Sequence, residues 1–158
     1  MNWRYLIRRH SDCSRFISDE LIERLWTKLP IGNNEWAKSD GASFEAFSNA
    51  LKSSPIVIEL DFGYIRVERF IYGYEAVVHG AFWSKDAFKN KDEILAAANR
   101  IKELCKAKRL KVLIPARHKS LQRFLSGLGL EHLGYGFMTR AIEGKQVSGD
   151  LWVLRMEG

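Results

Sequence analysis

The stretch Ser120–Gly136 reads SLQRFLSGLGLEHLGYG. Leu121, Phe124 and Leu125 fall at helical spacing, so it opens as a short amphipathic helix over residues 119–126. Four glycines then occupy its last ten residues. Gly129 sits where a left-handed backbone closes a helix well, and Leu130 can fold back onto the helix's apolar face. Gly134 and Gly136 permit a bulge or a close approach as the next strand begins. A helix stopped by glycine and followed at once by a strand belongs to a chain that mixes helices with a sheet.

The segments around it extend that reading. LKVLIPA (110–116) is almost continuously apolar, as a strand covered on both faces is. Before it, Ile94, Ala97, Ala98, Ile101, Leu104 and Cys105 form the apolar stripe of a long helix. Asn90 and Glu93 stand at capping-box spacing at its start. IVIEL (56–60), YIRVERFIY (64–72) and EAVVHGAFW (75–83) are rich in β-branched and aromatic residues and are separated by Asp61-Phe62-Gly63 and by Gly73. They predict an antiparallel meander. Residues 2–8 predict a first strand. Phe16, Ile17, Leu21, Ile22, Leu25 and Leu29 predict a helix closed by Pro30. Ser43 caps a second helix carrying Phe44, Phe47 and Leu51. The polar segment 31–42 has Trp36 as its one large anchor. GFMTRAI and LWVLRM are the last two strands, around EGKQVSGD. The predicted fold is α/β (α+β): a mixed, mostly antiparallel sheet of about seven strands with four helices, in the order β-α-α-β-β-β-α-β-α-β-β, across one domain spanning 1–158.

With 158 residues, 46% of them hydrophobic, and three prolines, the chain suits one well-cored domain. Its apolar runs are shorter than the roughly 20 residues a membrane-spanning helix needs, and its start lacks a signal-peptide pattern. These features predict a soluble intracellular protein. Cys13 and Cys105 suggest neither a disulfide framework nor a metal site, and Cys105 reads as a buried apolar thiol. The formal charge is +6, and between Cys105 and Arg123 lie seven cations with no acidic residue among them. Such a cluster is compatible with weak, salt-sensitive, nonspecific affinity for nucleic acid, or with an ordinary solvated surface. The nucleophile-elbow, phosphate-loop and zinc spacings are missing from the sequence.

The element order, from about Glu75 to Arg155, resembles the GNAT (Gcn5-related N-acetyltransferase) fold. HKSLQRFLSGLGL carries most of that resemblance. His118 stands at the family's Asn position, Leu121 three residues on, Phe124-Leu125 at the aromatic pair and Gly129-Leu130 at the Gly-Phe step. A narrower resemblance joins VVHGAFWSKDAFKNK to GNAT-like proteins of tailed phages, some encoded among head-assembly genes. The resemblance implies an N-acetyltransferase moving an acetyl group from acetyl-CoA to an amine. The alternative it implies is a catalytically inactive GNAT-shaped protein serving phage head or virion assembly through contacts with a structural protein partner. Both imply a cytoplasmic location, the host's in the second case, with virion association.

In the family the donor lies in a gap beside the fourth strand, its pyrophosphate on the amides that begin the next helix. The resemblance thus places cofactor-binding residues at Ala81, Phe82 and Trp83, at Lys89, Asn90 and Lys91, and at His118. A general base must take a proton from an amine, and Glu75 and His79 are the candidates, on one strand face with Val77 and Ala81. Glu68 is a weaker one, because Arg66 and Glu68 alternate as a solvated face does. Two departures stand out. Residues 84–94 carry no glycine where the family has a glycine-rich turn, and Asp92 and Glu93 fill the first helical turn. Leu125 stands where many of these enzymes have a proton-donating Tyr.

Overall fold

A computed structural model describes residues 4–7, 17–29, 43–115, 119–138 and 148–155. Its elements run β1 (Arg4–Ile7), α1 (Asp19–Lys28), α2 (Phe44–Ser53), β2 (Ile56–Leu60), β3 (Gly63–Ile71), β4 (Glu75–Phe82), a 3-10 turn (Lys85–Lys89), α3 (Lys91–Cys105), β5 (Arg109–Pro115), α4 (Lys119–Gly127), β6 (Glu131–Met138) and β7 (Ser148–Arg155). The order is the one the sequence predicts. Seven strands form one sheet in the order β1-β2-β3-β4-β5-β7-β6. Its neighbours are antiparallel except β4 and β5, which run parallel because α3 carries the chain back across the sheet between them.

The close of α4 follows from Gly129, at φ 95°. The Leu130 amide donates to the Leu125 carbonyl (3.1 Å) and the Gly129 amide to Ser126 (3.0 Å), the paired bonds of a Schellman stop. Leu125 and Leu130 are thereby turned into one core. That core lies between the sheet and the α3–α4 layer, with Ile94, Ala97, Ile101 and Cys105 of α3 against Ile65, Val67, Ala76 and Val78 of the meander. A second core fills the opposite face, where Leu21, Ile22 and Leu25 of α1 and Phe47 and Leu51 of α2 meet Val57, Tyr64 and Ala81. Arg24 of α1 forks onto Glu59 of β2 through two hydrogen bonds of 2.9 and 3.0 Å, fixing that layer to the sheet.

Local chemistry sets the boundaries. Ser18 and Ser43 cap α1 and α2 through their hydroxyls, which accept from the amides of Leu21 (3.1 Å) and Ala46 (3.2 Å). Gly63 closes the two-residue turn between β2 and β3. A side chain there would fall on the Ala81 carbonyl and on the Phe82 backbone. Three sequence expectations are corrected. Asn90 makes no side-chain cap on α3; its amide is drawn back to the Asp86 carbonyl at 2.7 Å, because the 3-10 turn brings that carbonyl to it. Ile17 precedes α1, which starts after the Ser18 cap, and Phe16 lies outside the described residues. The sixth strand begins at Glu131, immediately after the Schellman stop and five residues before the expected GFMTRAI; it is described to Met138, residues 139–142 lie outside the described residues, and its register against β7 shifts around Gly134 and before Phe137. The segment 31–42 with Trp36, Pro30, Cys13 and much of EGKQVSGD lie outside the described residues.

Candidate active site

The parallel pairing of β4 with β5 covers only Glu75–Val77 against Arg109–Lys111. Past that point the strands part. β4 continues through Val78, His79, Gly80, Ala81 and Phe82 along β3, while β5 continues through Val112–Pro115 along β7. The sheet is therefore split, with backbone groups along the facing edges freed from that ladder. On the α3–α4 side a cavity of about 90 Å³ opens at the split, lined by Val78, Gly80 and Phe82 of β4, Val112 of β5, and Leu125 and Leu130 around the end of α4.

His79 points to the other side of the sheet, two residues past the last paired residue. Its Nε2 lies 3.2 Å from Glu68 Oε2. An ionised carboxylate only accepts hydrogen bonds, so this contact puts the proton on Nε2 and leaves Nδ1 with the free lone pair. Glu68 reaches the histidine because β3 bulges there: Val67 pairs with Val78 and Arg69 with Val77, leaving Glu68 as the extra residue. Arg69 also holds the carboxylate, at 3.4 Å. Opposite His79 stands Arg66, 1% exposed, donating to Ser54 Oγ at 3.2 Å. Arg66 and Glu68 are thus a buried cation and a half-buried carboxylate rather than a solvated face. The reason is the bulge, which brings Glu68 to His79, together with the end of α2, where Ser54 receives Arg66.

The other expected base is used differently. Glu75 lies at the closed end of the split, about 13 Å along the strand from His79. Its carboxylate takes Arg109 Nη2 at 2.8 Å and Nε at 2.9 Å, and Lys111 Nζ at 3.5 Å. Burial pushes the Glu75 carboxyl up, but the Arg109 hydrogen bond and the charges of Lys111 and Arg109 outweigh it and hold the group below its ordinary value. A carboxylate so held is a weak base and a structural tie between β4 and β5. Its stabilising contribution is complete above the unfolded carboxylate range and disappears as pH falls through the lower folded value. Glu75→Gln is therefore expected to lower stability at pH 7, with the gap to wild type narrowing below about pH 4. Urea melts across that range check it, and a constant gap would contradict the ion pair.

The remaining expected residues divide. Phe82 lines the cavity, its ring 5.9 Å from that of Phe62. Ala81 faces away, into the α1–α2 core. Trp83 is committed elsewhere: its Nε1 donates to the Asp61 carbonyl (3.1 Å) and Lys28 Nζ lies 5.3 Å over its ring. Lys89 and Lys91 are exposed at the start of α3, where the side chain of Asn90 leaves the first amides uncapped. Lys91 Nζ reaches the end of α4 beside Gly127. His118 lies outside the described residues. Leu125, the residue at the position where the resemblance has a Tyr, is buried. Cys105 is fully buried and its thiol is raised to about 11 by desolvation, which removes it as a nucleophile. The basic run breaks up: Arg109 and Lys111 are spent on Glu75, and Arg109 also stacks 4.9 Å over Tyr74. Among the described residues no group of three His, Cys, Asp or Glu is gathered as metal ligands, and no helix is long and apolar enough to cross a membrane.

The chain matches no protein-family model and no curated protein sequence. Solved structures do match it. The N-acetyltransferase from Staphylococcus aureus Mu50 superposes with a TM-score of 0.68 at 13% identity, over 98% of each chain. The GNAT-family acetyltransferase from Bacillus anthracis gives 0.62 at 11%, over 84% of this chain and 89% of that one. The Salmonella typhimurium acetyl transferase that modifies the N-terminal serine of ribosomal protein L7/L12 gives 0.68 at 7%, over 89% and 92%. With a sheet split between β4 and β5, its parallel neighbours among the described strands, and a glycine-closed α4 beside the opening, this chain has a divergent form of the GNAT acetyltransferase fold.

Proposed function

We propose that the protein is an acyl-CoA-dependent N-acyltransferase, with the donor thioester in the split between β4 and β5 and the acceptor amine entering from the α1–α2 side. The observation that carries this reading is the His79–Glu68 pair, set beside the parted strands. The residues fit the donor in two places. The facing strand edges offer backbone hydrogen bonds to the amides of its pantetheine arm, and the uncapped amides of α3, with Lys89 and Lys91, offer positive charge to its diphosphate. Asp92 and Glu93 oppose the diphosphate, so its hold is weaker than a glycine-rich turn would give.

Glu68 orients the imidazole, and His79 Nδ1 accepts the proton of the attacking amine. The amine nitrogen bonds to the thioester carbon, the carbon–sulfur bond breaks with its electron pair on sulfur, and the departing thiolate takes up a proton from water or from the imidazolium. Leu125 has no proton to give, so thiolate protonation does not pass through that position. The acceptor is an amine that arrives as the free base or is deprotonated at His79.

Thermal unfolding with acetyl-CoA tests the reading. At a hundredfold excess over Kd, a ligand of the native state is expected to raise Tm by roughly 5–10 °C for a chain of this size. No rise at millimolar concentration with any CoA thioester would overturn the enzyme reading. It would favour the non-catalytic assembly reading, for which Leu125 and the acidic first turn of α3 speak.

A further inference from the structure

The cavity on the α3–α4 side of the split has a property that acetyl transfer does not call for. Every side chain lining it is apolar. The pantetheine arm carries amides, and buried amides need hydrogen-bond partners that these side chains lack. The polar strand edges suit the arm, and the apolar cavity suits an alkyl chain. Its volume, about 90 Å³, compares with apolar cavities of about 150 Å³ that take benzene, so it holds roughly four carbon atoms. An acetyl group extends one methyl past its carbonyl and would leave most of that space empty.

Three sequence features maintain the space. Gly80 has no side chain. A Cβ there would meet the Tyr64 carbonyl oxygen at 3.6 Å, Phe82 Cζ at 3.7 Å and Ile65 Cγ1 at 3.8 Å, ordinary contacts, so the glycine keeps volume open without relieving a backbone clash. Ala98 presents the smallest side chain of α3 to the cavity. Leu125 supplies hydrocarbon where a phenol would bring a hydroxyl, and the Schellman stop sets Leu130 beside it.

From this we infer that the acyl donor is a short- to medium-chain thioester of about four to six carbons, its chain seated between β4 and the α3–α4 layer. The inference rests on the proposed acyl-CoA reading and specifies its donor. Isothermal titration of the intact protein with acetyl-, butyryl-, hexanoyl- and decanoyl-CoA tests it by binding alone. At about fourfold per buried methylene, hexanoyl-CoA is expected to bind on the order of 100-fold more tightly than acetyl-CoA, with no further gain at decanoyl. Gly80→Val and, separately, Ala98→Leu fill the cavity and are expected to bring hexanoyl-CoA to within a few-fold of acetyl-CoA in the same variant. Acetyl-CoA binding as tightly as hexanoyl-CoA in the wild type overturns the inference and leaves acyl transfer standing. A hexanoyl preference that survives in both folded variants also overturns it, by taking the chain out of this cavity. If none of the four thioesters binds, the proposed function falls and the donor assignment with it.

Discussion

His79→Gln is expected to lower kcat/KM by about 10²–10⁴-fold, the range a positioned general base contributes, while binding the thioester donor as the wild type does. The donor lies along strand edges and over the α3–α4 cavity, and the histidine side chain points to the opposite side of the sheet. Glu68→Gln is the finer test. It preserves size but can present N–H instead of a carboxylate oxygen to Nε2, which permits the tautomer with its proton on Nδ1 and removes the free lone pair from the amine's side. The expected loss is about tenfold to a hundredfold in kcat with little change in donor affinity. Steady-state kinetics with a fixed primary amine, paired with donor titration, separate these effects. Equal activity in wild type and His79→Gln would remove the histidine from the chemistry.

Phe47→Ala is expected to cost about 3–5 kcal/mol, the range for emptying a buried aromatic site. That is a large share of the roughly 5–15 kcal/mol that stabilises a domain. Phe47 is fully buried at the centre of the α1–α2 core, its ring 5.2 Å from that of Trp26 and 6.0 Å from that of Tyr64. Tyr64 pairs with Ala81 at the far end of the split strand, so the cavity left behind loosens the wall next to the acceptor side. The neighbouring Phe44 is the control. It is 40% exposed and touches Trp26 only edge-on, at 5.8 Å, so Phe44→Ala should cost about 1 kcal/mol. Urea unfolding of both variants measures the difference. Comparable losses would mean that α2 packs with a different face inward.

The architecture was legible where a local physical rule had one solution. Gly129 had to close a helix because its neighbours are apolar on one face and because a left-handed residue ends a helix cheaply. Ser43 sits before a helical pattern and does cap it, whereas Ser18 caps α1 from within the stretch that reads as helix. The site was only half legible. His79 could be named from its strand, but its partner could not, since the bulge at Glu68 is a one-residue register shift with no signal in YIRVERFIY. Glu75 looked like a base because its cations, Arg109 and Lys111, are more than thirty residues away in sequence. Ser54 lies only twelve residues from Arg66, but on another element, so a buried guanidinium read as a surface charge. At Asn90 the spacing was right for a cap, but the 3-10 turn before it offers the Asp86 carbonyl, which the side-chain amide takes, and no cap bond to the helix forms.

The bulge in β3 also acts as a parity switch. Before it, the odd-numbered residues Ile65 and Val67 face the α3–α4 layer; after it, Phe70, paired with Ala76, takes that side. Excising the single residue at position 68 would restore simple alternation and leave Arg69, Phe70 and Ile71 opposite Val77, Ala76 and Glu75, on the sides they already occupy, while removing the carboxylate beside His79. The extra residue therefore serves the site and not the register of the hairpin. In a library of variants, loss of residue 68 should survive a screen for folding and be depleted in a screen for activity.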